Sequence, residues 1–554
     1  MDAHVQGAPG HGAITAQVAV SRYALQIGRP SGAVVREASR AERAHIRPRA
    51  TPILRRPRLI RGLFDRRIEL AAALSALDAG LPLEVSGEAG IGKTALLRHL
   101  AHHPRAASFV DGILYLSARH QSPADLAQLM FEAFYESAEI CKPTEAEIRR
   151  GLQEKQALIL LDDVHLTQEE LEQVIDSAPQ SAFAAATRER CLWGEARSIA
   201  LAGLPIEDAV SLLEREVERS LDATERSTAA KLCAALGGHP LRIMQAAAIM
   251  RERNIPLNAW SRDIGPERLI AELMATIDDK QRRALLALTA LPGVPLKVQH
   301  VAGIAEVTDI ESSLLSLVRK GLVVSSSSRH RLADGVSDRI RRTEDLKPWF
   351  NRAITYFTVW AERYRRSPGD LLEESDTLLR VQQYATDARR WGEVLQLGRV
   401  LEGTLVVGAR WGAWGIVLDR CLAAARATGD RSAEAWALHE IGTRAVCLGE
   451  PGKARALLGQ AVRQREALND DAAAAASRRN LGFVLAPVAD EPQERSIVPN
   501  DVVPDFDSFA FRNHDQSAID LTSKTSVGTL TLAFVLFTAL GWLGYWVAAE
   551  LLVK

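Results

Sequence analysis

The chain has 554 residues, of which 47% are hydrophobic, 25% are charged and 5% are aromatic. This length predicts three or four domains, and the globular composition excludes wholesale disorder. Lysine and arginine (68) nearly balance aspartate and glutamate (69), so the formal net charge of −1 excludes a nucleoid-type coat protein. The five cysteines lack CxxC spacing, which excludes a disulfide scaffold and a zinc ribbon and predicts thiols in a reducing cytosol.

The first 67 residues form an arginine-rich head. They contain thirteen arginines and no lysine against four acidic residues, an excess of about nine positive charges. No apolar h-region opens the chain, so the sequence predicts no signal peptide. Apolar and polar residues alternate in AITAQVAV and YALQI, which predicts two short strands. The charge of the head suits contact with anionic lipid or RNA, and equally suits solvated charge around a docking segment.

The C-terminal segment is apolar. Residues 525–549 contain no charge, and 25 residues of helix extend about 37 Å, more than a hydrocarbon core of about 30 Å. Trp542, Tyr545 and Trp546 are typical of an interfacial aromatic belt, and the alternative is a buried core helix. We therefore expect a single-pass, tail-anchored membrane protein with its N-terminal body in the cytoplasm. Residues 486–524 hold four prolines and eight acidic against three basic residues, which predicts a flexible linker.

The central region carries a phosphate-binding motif. A short apolar strand at 83–86 precedes GEAGIGKT, and a helical pattern follows it. The glycines let the backbone wrap around a phosphate with its N–H groups pointing at anionic oxygens. We expect Lys93 to reach the β- and γ-phosphates and the Thr94 hydroxyl to bind Mg²⁺, the alternative being a glycine turn that caps a helix. The candidate nucleotide-binding residues of this loop are Gly87, Glu88, Ala89, Gly90, Ile91, Gly92, Lys93 and Thr94.

Two further apolar strands end in candidate catalytic residues. QALILLDDVH is typical of a buried parallel strand with acids at its C-terminal end, where ligands bind in open α/β sheets. We expect Asp162 to hold Mg²⁺, directly or through water, and Asp163 to orient or deprotonate an attacking water. SAFAAATRER predicts another strand, after which Arg188 either senses a γ-phosphate or is a solvated surface arginine. Strands and helices alternate through 83–205, which predicts a doubly wound parallel sheet.

The remaining pattern is mainly helical. Residues 206–266 predict helices broken by a GGHP turn, and 267–345 predict three short helices and a hairpin around four serines, the succession of a winged helix. The candidate recognition helix has only Arg319 and Lys320 as cations, so we expect no DNA binding through it. A repeat near forty residues in 346–485 predicts tetratricopeptide-like pairs with a surface for protein partners, the alternative being a plain helical bundle.

In this order the motifs resemble the STAND signal-transducing ATPases, close to the NB-ARC type. The similarity covers about residues 60–345 and rests on LFDRRIEL, on GEAGIGKT as Walker A, on LILLDDVH as Walker B, on AAATRER as a sensor strand, and on LAGLPIEDAVSLL and GGHPL. The resemblance implies that Pro240 packs near the adenine and that Arg66 lies close to the nucleotide. It also implies that the winged helix closes over ADP in a resting state.

Two departures from the family pattern bear on this resemblance. The motif before the P-loop usually reads Gly-Arg-Glu, whereas here Asp65 and Arg67 flank Arg66. The closing Met-His-Asp of the family appears as Leu-Ala-Asp at 332–334, so the histidine that would contact the phosphate is absent. The neighbouring His330 is a candidate substitute. Control of ADP retention is the property that these departures put in question.

The sequence thus predicts a multidomain α/β plus α protein that acts as a membrane-anchored signalling switch. It would bind ADP or ATP with Mg²⁺, hydrolyse ATP slowly as a reset, bind a protein ligand on its repeats and form homo-oligomers on activation, in stress or phage defence. The alternative is an ATP-dependent transcription regulator that uses the winged helix, against which the tail anchor and the lack of a separate helix-turn-helix domain count. The predicted regions are a partly disordered head (1–59), a P-loop domain (60–205), a helical domain (206–266), a winged helix (267–345), helical repeats (346–485), an acidic linker (486–524) and a transmembrane helix (525–549).

Overall fold

A computed structural model of the protein describes most of the chain up to residue 485. The predicted acidic linker (486–524) and transmembrane helix (525–549) lie outside the described residues, as do Asp65 and Asp334. Within the described part, no helix is both long and apolar enough to cross a bilayer. The described residues are 6–7, 14–20, 23–28, 31–39, 42–59, 66–194, 196–253, 257, 266–326, 328–333 and 335–485.

The head forms a small antiparallel sheet. Both strands predicted there are confirmed, at Ile14–Val20 and Tyr23–Ile27, because every second side chain packs into the core. A third strand, Val34–Glu37, pairs with the second in an antiparallel register. The strands of this region are β1 (Gln6–Gly7), β2 (Ile14–Val20), β3 (Tyr23–Ile27), β4 (Val34–Glu37), β5 (Arg47–Pro48) and β6 (Ile53–Arg55).

Residues 67–200 form the nucleotide-binding domain, which alternates strands and helices as predicted. It contains α1 (Arg67–Asp78), β7 (Leu83–Ser86), α2 (Lys93–Ala101), a 3-10 helix (Pro104–Ser108), β8 (Gly112–Ser117), α3 (Pro123–Phe134), β9 (Tyr135–Glu136), β10 (Cys141–Lys142), α4 (Glu145–Leu152), β11 (Ala157–Asp162), α5 (Gln168–Asp176), β12 (Ala182–Ala186) and β13 (Arg197–Ala200).

Six parallel strands form the central sheet, in the order β13-β7-β12-β11-β8-β6. The strand β11 is apolar up to Asp162 because both of its faces are buried: Leu158 and Leu160 pack on one side, and Ile159 and Leu161 on the other. The edge strand β6 belongs to the predicted head, so the predicted boundary at residue 59 divides a continuous sheet. Two more pairings, β5 with β9 and β10 with β2, join the head to this domain.

Four helices follow the sheet. A GGHP turn separates the second from the third, because Gly237 and Gly238 have positive φ angles of 66° and 62°. A Cβ on Gly238 would lie 2.3 Å from the Leu204 carbonyl oxygen, so the turn packs directly on the chain that leaves the sheet. These helices are α6 (Ile206–Val217), α7 (Ala223–Ala235), α8 (Pro240–Arg253) and α9 (Pro266–Met274).

The next segment, residues 278–343, combines short helices with a three-stranded antiparallel sheet of order β14-β16-β15, and we call it the hairpin module. The predicted hairpin is present, and the serine run begins inside its first strand, because Ser325 and Ser326 pair with His330 and Arg329. The assignment as a winged helix stays a prediction. The elements are α10 (Asp279–Thr289), β14 (Leu296–Lys297), α11 (Val298–Ala305), α12 (Glu311–Arg319), β15 (Val323–Ser326), β16 (Arg329–Leu332) and α13 (Val336–Thr343).

The last described region, residues 347–485, is a stack of helices that we call the repeat region. Leu401 and Ile441, forty residues apart, are both buried. Glycines allow close contact between neighbouring helices, since a Cβ on Gly442 would lie 2.7 Å from Leu458 Cγ. The helices are α14 (Lys347–Arg363), α15 (Pro368–Glu373), α16 (Ser375–Asp387), α17 (Trp391–Val407), α18 (Trp411–Thr428), α19 (Arg431–Cys447), α20 (Pro451–Ala467) and α21 (Asp471–Leu485).

Buried carboxylates connect the repeat region to the two modules before it. Asp125 on α3 accepts hydrogen bonds from the backbone N–H groups of Gly412 and Ala413, both at 3.0 Å, and so caps the N-terminus of α18. Glu374, before α16, pairs with Arg329 of the hairpin module at 2.8 Å. Burial would raise the pKa of Glu374, but His300 and Arg329 lower it to about 2, so this contact is ionic at neutral pH.

We predict that Asp125→Ala weakens the contact between α3 and α18. Loss of an N-terminal cap costs about 1 to 2 kcal/mol, and we therefore expect hydrogen exchange at the Gly412 and Ala413 amides to be about 5- to 30-fold faster. Asp176, exposed at the end of α5, provides the control Asp176→Ala, which should leave this exchange unchanged. Equal exchange rates in the two variants would contradict the capping role.

Candidate nucleotide-binding site

The loop between β7 and α2 has the backbone of a phosphate-binding loop. Gly87, Gly90 and Gly92 have positive φ angles of 147°, 84° and 111°, a region that side chains with a Cβ rarely adopt. Gly92 is the N-cap of α2, so the first N–H groups of this helix face the loop. Buried Ile91 anchors the loop in the core. This geometry suits an anion at the helix N-terminus.

Lys93 is the cation of the loop. Its Nζ atom donates to the carbonyl oxygens of Gly87 at 2.6 Å and Glu88 at 3.0 Å. The ammonium group therefore lies on the backbone of the loop, and its contact with the β- and γ-phosphates stays a prediction. Glu88 itself points outward and pairs with Arg242 of α8 at 2.7 Å.

Thr94 and Asp162 meet at the edge of the sheet. The Thr94 hydroxyl donates to Asp162 Oδ1 at 3.0 Å, although 68 residues separate the two in the chain. Tyr115, on the neighbouring strand β8, donates to Asp162 Oδ2 at 2.6 Å. Burial and the charge of Asp162 raise the pKa of Tyr115, which therefore stays a hydrogen-bond donor. Sequence analysis missed Tyr115, since one tyrosine in an apolar strand carries no signal.

Asp163 is held by two cationic or potentially cationic groups. It has a positive φ of 58°, forms an ion pair with Arg119, and accepts a hydrogen bond from His165 Nε2 at 3.0 Å. Burial raises the pKa of Asp163, but the contacts with His165 and Arg119 and the charge of Arg331 lower it well below its usual range. The carboxylate is therefore ionised and oriented, and both of its oxygens have partners in this conformation.

Arg119 also connects the nucleotide-binding domain to the hairpin module, because its guanidinium donates to the Gly293 carbonyl oxygen. Arg331, on strand β16 of that module, adds positive charge beside Arg119 and Asp163. His330, the candidate substitute for the missing histidine, is buried and interacts with Glu311. Its neighbour Arg331 is thus the residue of this strand that is close to the predicted catalytic carboxylate.

Arg188 follows β12 at the same edge of the sheet. Its side chain is exposed, its carbonyl oxygen accepts the Gly87 N–H at 3.2 Å, and its charge is close enough to influence Arg119. The preceding Thr187 has a structural role, since its buried hydroxyl donates to Glu84 Oε1 at 2.9 Å. Glu84, which sequence analysis missed, also accepts the N–H groups of Cys191 and Leu192 and so ties this segment to β7.

Arg66 supports the phosphate-binding loop from behind. Its buried guanidinium pairs with Glu69 at 2.7 Å and donates to the carbonyl oxygens of Ile91 at 3.0 Å and Ala202 at 2.9 Å. It therefore fixes the loop against the chain that leaves β13. The guanidinium is held by protein groups in this position, and its closeness to a nucleotide stays a prediction.

Pro240 begins α8, next to the loop. The preceding His239 lies 3.7 Å from Glu88 Oε2, and a Cβ on Gly90 would lie 2.8 Å from the Leu241 side chain. Burial lowers the pKa of His239, and its Nδ1 atom has no hydrogen-bond partner among the described residues. The helical segment therefore packs on the loop itself. The contact of Pro240 with an adenine stays a prediction.

The fit to a divalent cation is indirect. Among the described residues, no group of three or more histidine, cysteine, aspartate or glutamate side chains could hold a metal ion. Thr94 and Asp162 supply two adjacent oxygen ligands. Because Mg²⁺ usually binds through one or two protein oxygens plus phosphates and waters, this pair is adequate only together with a phosphate ligand.

We predict that Lys93→Ala weakens nucleotide binding about 10- to 100-fold, because a hydrogen bond to a charged group contributes about 1.5 to 3 kcal/mol. Titration with a fluorescent ADP or ATP analogue measures this. Lys231 is exposed on α7, and Lys231→Ala should bind as the wild type does. Equal affinity of both variants would contradict the role assigned to Lys93.

Comparison with known proteins agrees with this geometry. Residues 69–222 match the NB-ARC domain family. No curated protein sequence matches the chain. Among the solved structures similar to it is a Signal Transduction ATPase with Numerous Domains (STAND) protein with a tetratricopeptide repeat sensor from Pyrococcus horikoshii, at 16% identity and a TM-score of 0.41, over 78% of this chain and 81% of that chain. A Walker-type ATPase of Pyrococcus abyssi is similar at 16% identity and a TM-score of 0.27, over 52% of this chain and 98% of that chain. Drosophila ORC bound to DNA is similar at 14% identity and a TM-score of 0.26, over 52% of this chain and 89% of that chain. Residues 69–222 of this chain are therefore similar to the NB-ARC domain, and the phosphate-binding loop lies within this range.

Proposed function

We propose that the chain is a signalling ATPase of the STAND type, a switch whose shape depends on whether ADP or ATP is bound. The observation that carries this proposal is the position of Arg119. This residue pairs with Asp163 at the phosphate end of the sheet and also donates to Gly293 of the hairpin module. A change at the phosphates would therefore reach the module that packs over the site.

The residues of the site divide the work of binding and hydrolysis. Lys93 and the N–H groups of the loop would bind the phosphates, and Thr94 and Asp162 would hold Mg²⁺, which supplies charge neutralisation at the phosphates when bound. Tyr115 orients Asp162 through its second oxygen. Asp163 would orient the attacking water, but the contacts with Arg119 and His165 lower its pKa and make it a weaker base while they are intact. This weak basicity supports slow hydrolysis that resets the switch.

A γ-phosphate offers Arg119 a second anionic partner. In the described conformation the guanidinium already neutralises Asp163. If it turned toward a γ-phosphate, Asp163 would become available to water, and the hydrogen bond to Gly293 would be lost. ATP would thereby favour both hydrolysis and an open hairpin module. Arg188 and Arg331, at the same edge, are candidates for further contacts with the γ-phosphate.

The repeat region would act as the sensor. It contacts the nucleotide-binding domain through Asp125 and the hairpin module through Glu374. The contact through Asp125 joins regions with separate apolar cores, and polar contacts between domains separate more readily than apolar ones, whereas the hairpin module and the repeat region share one core. We propose that a protein ligand on the repeats loosens these contacts, that ADP then leaves, and that ATP-bound molecules form oligomers.

The position of the cations does not favour the alternative of a transcription regulator. Lys320, at the end of the candidate recognition helix α12, is buried, pairs with Glu252 at 3.0 Å and donates to Thr276. Its charge is thus used within the protein, which leaves Arg319 as the remaining cation that was considered for DNA. We therefore prefer the signalling switch.

To test the switch, we predict that Asp163→Asn retains ATP, hydrolyses it much more slowly and assembles without a partner, because Arg119 loses its ionic partner. Light scattering of full-length protein in detergent measures the assembly. The double variant Lys93→Ala/Asp163→Asn should remain monomeric. An ATP-loaded Asp163→Asn protein that also stays monomeric would count against the proposal.

The membrane anchor is a separate proposal that rests on the uncharged segment 525–549. We predict that the full-length protein stays in the membrane fraction after a carbonate wash and that a chain ending at residue 485 does not. Recovery of the full-length protein in the wash would refute the anchor.

Clustering of such segments on oligomerisation would also disturb the bilayer if the segment is an effector. Exchange of 525–549 for an unrelated membrane-spanning helix distinguishes an effector from a tether, because only a tether would leave the effect of activation on the membrane unchanged.

A further inference from the structure

The outer edge of β4 lies on helices of the repeat region. Ala33, just before β4, donates its N–H to Glu440 Oε1 at 2.9 Å, and its carbonyl oxygen accepts from His439 Nε2 at 2.8 Å and Asn480 Nδ2 at 2.9 Å. Two residues on, Val35 donates its N–H to Asn480 Oδ1 at 3.0 Å. All of these residues are buried, although about four hundred positions separate the strand from the helices.

These contacts are made entirely to the backbone of the strand. In an extended chain, residues i and i+2 present their N–H and C=O groups on the same edge, which is the pattern that Ala33 and Val35 present here. The other edge of β4 pairs with β3. The three side chains from α19 and α21 therefore take the place of a neighbouring strand. They recognise the extended conformation of the backbone, while the side chains of Ala33 and Val35 pack in the apolar core.

Ser477 and Arg465 of the repeat region fix the proton position on the ring of His439. Burial and Arg465 lower the pKa of His439 to about 3, so its ring is neutral at physiological pH. With a proton on Nε2 for Ala33, the ring accepts at Nδ1 from the Ser477 hydroxyl at 3.0 Å. The Ser477 oxygen in turn accepts from Arg465 at 2.8 Å. The tautomer that binds the strand is thus set by residues of the repeat region.

One position of the bound segment is restricted to glycine. Gly32 has a φ of 97°, and a Cβ there would lie 2.6 Å from His439 Cδ2 and 2.7 Å from Glu440 Oε1. Any side chain would therefore overlap the site. Buried Ala33 follows it, so a small residue comes next.

We propose that His439, Glu440 and Asn480 form a strand-binding site for an extended peptide that begins with glycine and a small residue, that residues 32–35 of this chain occupy the site, and that a protein partner with the same pattern replaces them. The tethered segment competes at an effective concentration on the order of millimolar. A partner must therefore add contacts elsewhere on the repeats, which makes exchange dependent on the correct protein.

Replacement of the strand would also affect the nucleotide-binding domain, and this part rests on the proposed function. The strand β2, in the same sheet as β4, pairs with β10 of that domain at Ala19 and Cys141. Lys142 of β10 donates to Gln128 on α3 at 2.6 Å, and α3 also carries Asp125. Displacement of β4 would therefore be transmitted through β2 and β10 to α3, and so to the contact between α3 and α18.

The test uses the full-length protein and a fluorescent peptide, SGAVVREA, with the sequence of residues 31–38. In Gly32→Val protein the tethered strand should leave the site, and we expect the peptide to bind about tenfold or more tightly than to the wild type. Gly449 provides the matched control, because it has a φ of 75° and a Cβ there would have no neighbour within 4 Å, so Gly449→Val adds backbone strain without an overlap. This control should bind the peptide as the wild type does.

Two further variants keep the test decisive. A peptide that carries Gly32→Val should bind the Gly32→Val protein at least about tenfold more weakly than the original peptide does. The original peptide should likewise bind Gly32→Val/Asn480→Ala protein at least about tenfold more weakly than it binds Gly32→Val protein. Should Gly32→Val protein fail to fold, Asn480→Ala alone should accelerate hydrogen exchange at the Val35 amide and leave the β2–β3 ladder unchanged. Peptide affinities equal in wild-type, Gly32→Val and Gly449→Val proteins, or an unchanged Val35 exchange rate, would overturn the proposal.

Release of a fluorescent ADP analogue is measured on the same samples. If the peptide binds Gly32→Val protein in the expected pattern and speeds release, both the site and its link to the switch are supported. If it binds without an effect on release, the strand-binding site is supported and the proposed switch is contradicted. Failure of the site and failure of the switch are therefore distinguishable.

Discussion

Parallel pairing of β11 with its neighbours is the constraint on which the nucleotide site depends. Because β11 is buried on both faces, its side chains fix its register against β8 and β12, and the carboxyl ends of all three strands meet at one edge. Asp162 and Asp163 are the first residues at which this strand can leave the core. Their position beside Thr94 follows from the register.

Charges and caps supplement the apolar packing between the modules. The hairpin module and the repeat region share one apolar core, to which the pair of buried Glu374 with Arg329 adds an ionic contact. The nucleotide-binding domain has separate apolar cores. Arg119, which connects Asp163 to the hairpin module, and Asp125, which caps α18, are therefore polar contacts between distinct cores.

The head contacts two other regions of the protein. Its arginine content suits contact with anionic lipid or RNA, and equally suits solvated charge around a docking segment, and the described strands contact the nucleotide-binding domain and the repeat region. The structure shows main-chain hydrogen bonds from Ala33 and Val35 to α19 and α21, and a parallel pairing of β2 with β10. This short sheet is therefore in contact with both the repeat region and the nucleotide-binding domain.

Local sequence indicated the phosphate-binding loop, the strands β7, β11 and β12 and the periodic helices, because glycine spacing, apolar runs and helical periodicity are set by neighbours in the chain. For the same reason it pointed to Lys93, Thr94, Asp162 and Asp163 as candidate site residues, whereas the edge strand β6 was not predicted. The roles of Tyr115, Glu84 and Arg331, and the docking of residues 32–35 on His439 and Asn480, were decided only by the tertiary structure. A single tyrosine, glutamate or arginine carries no sequence pattern that predicts its role. Its partner is determined by the packing of elements that are distant in the chain.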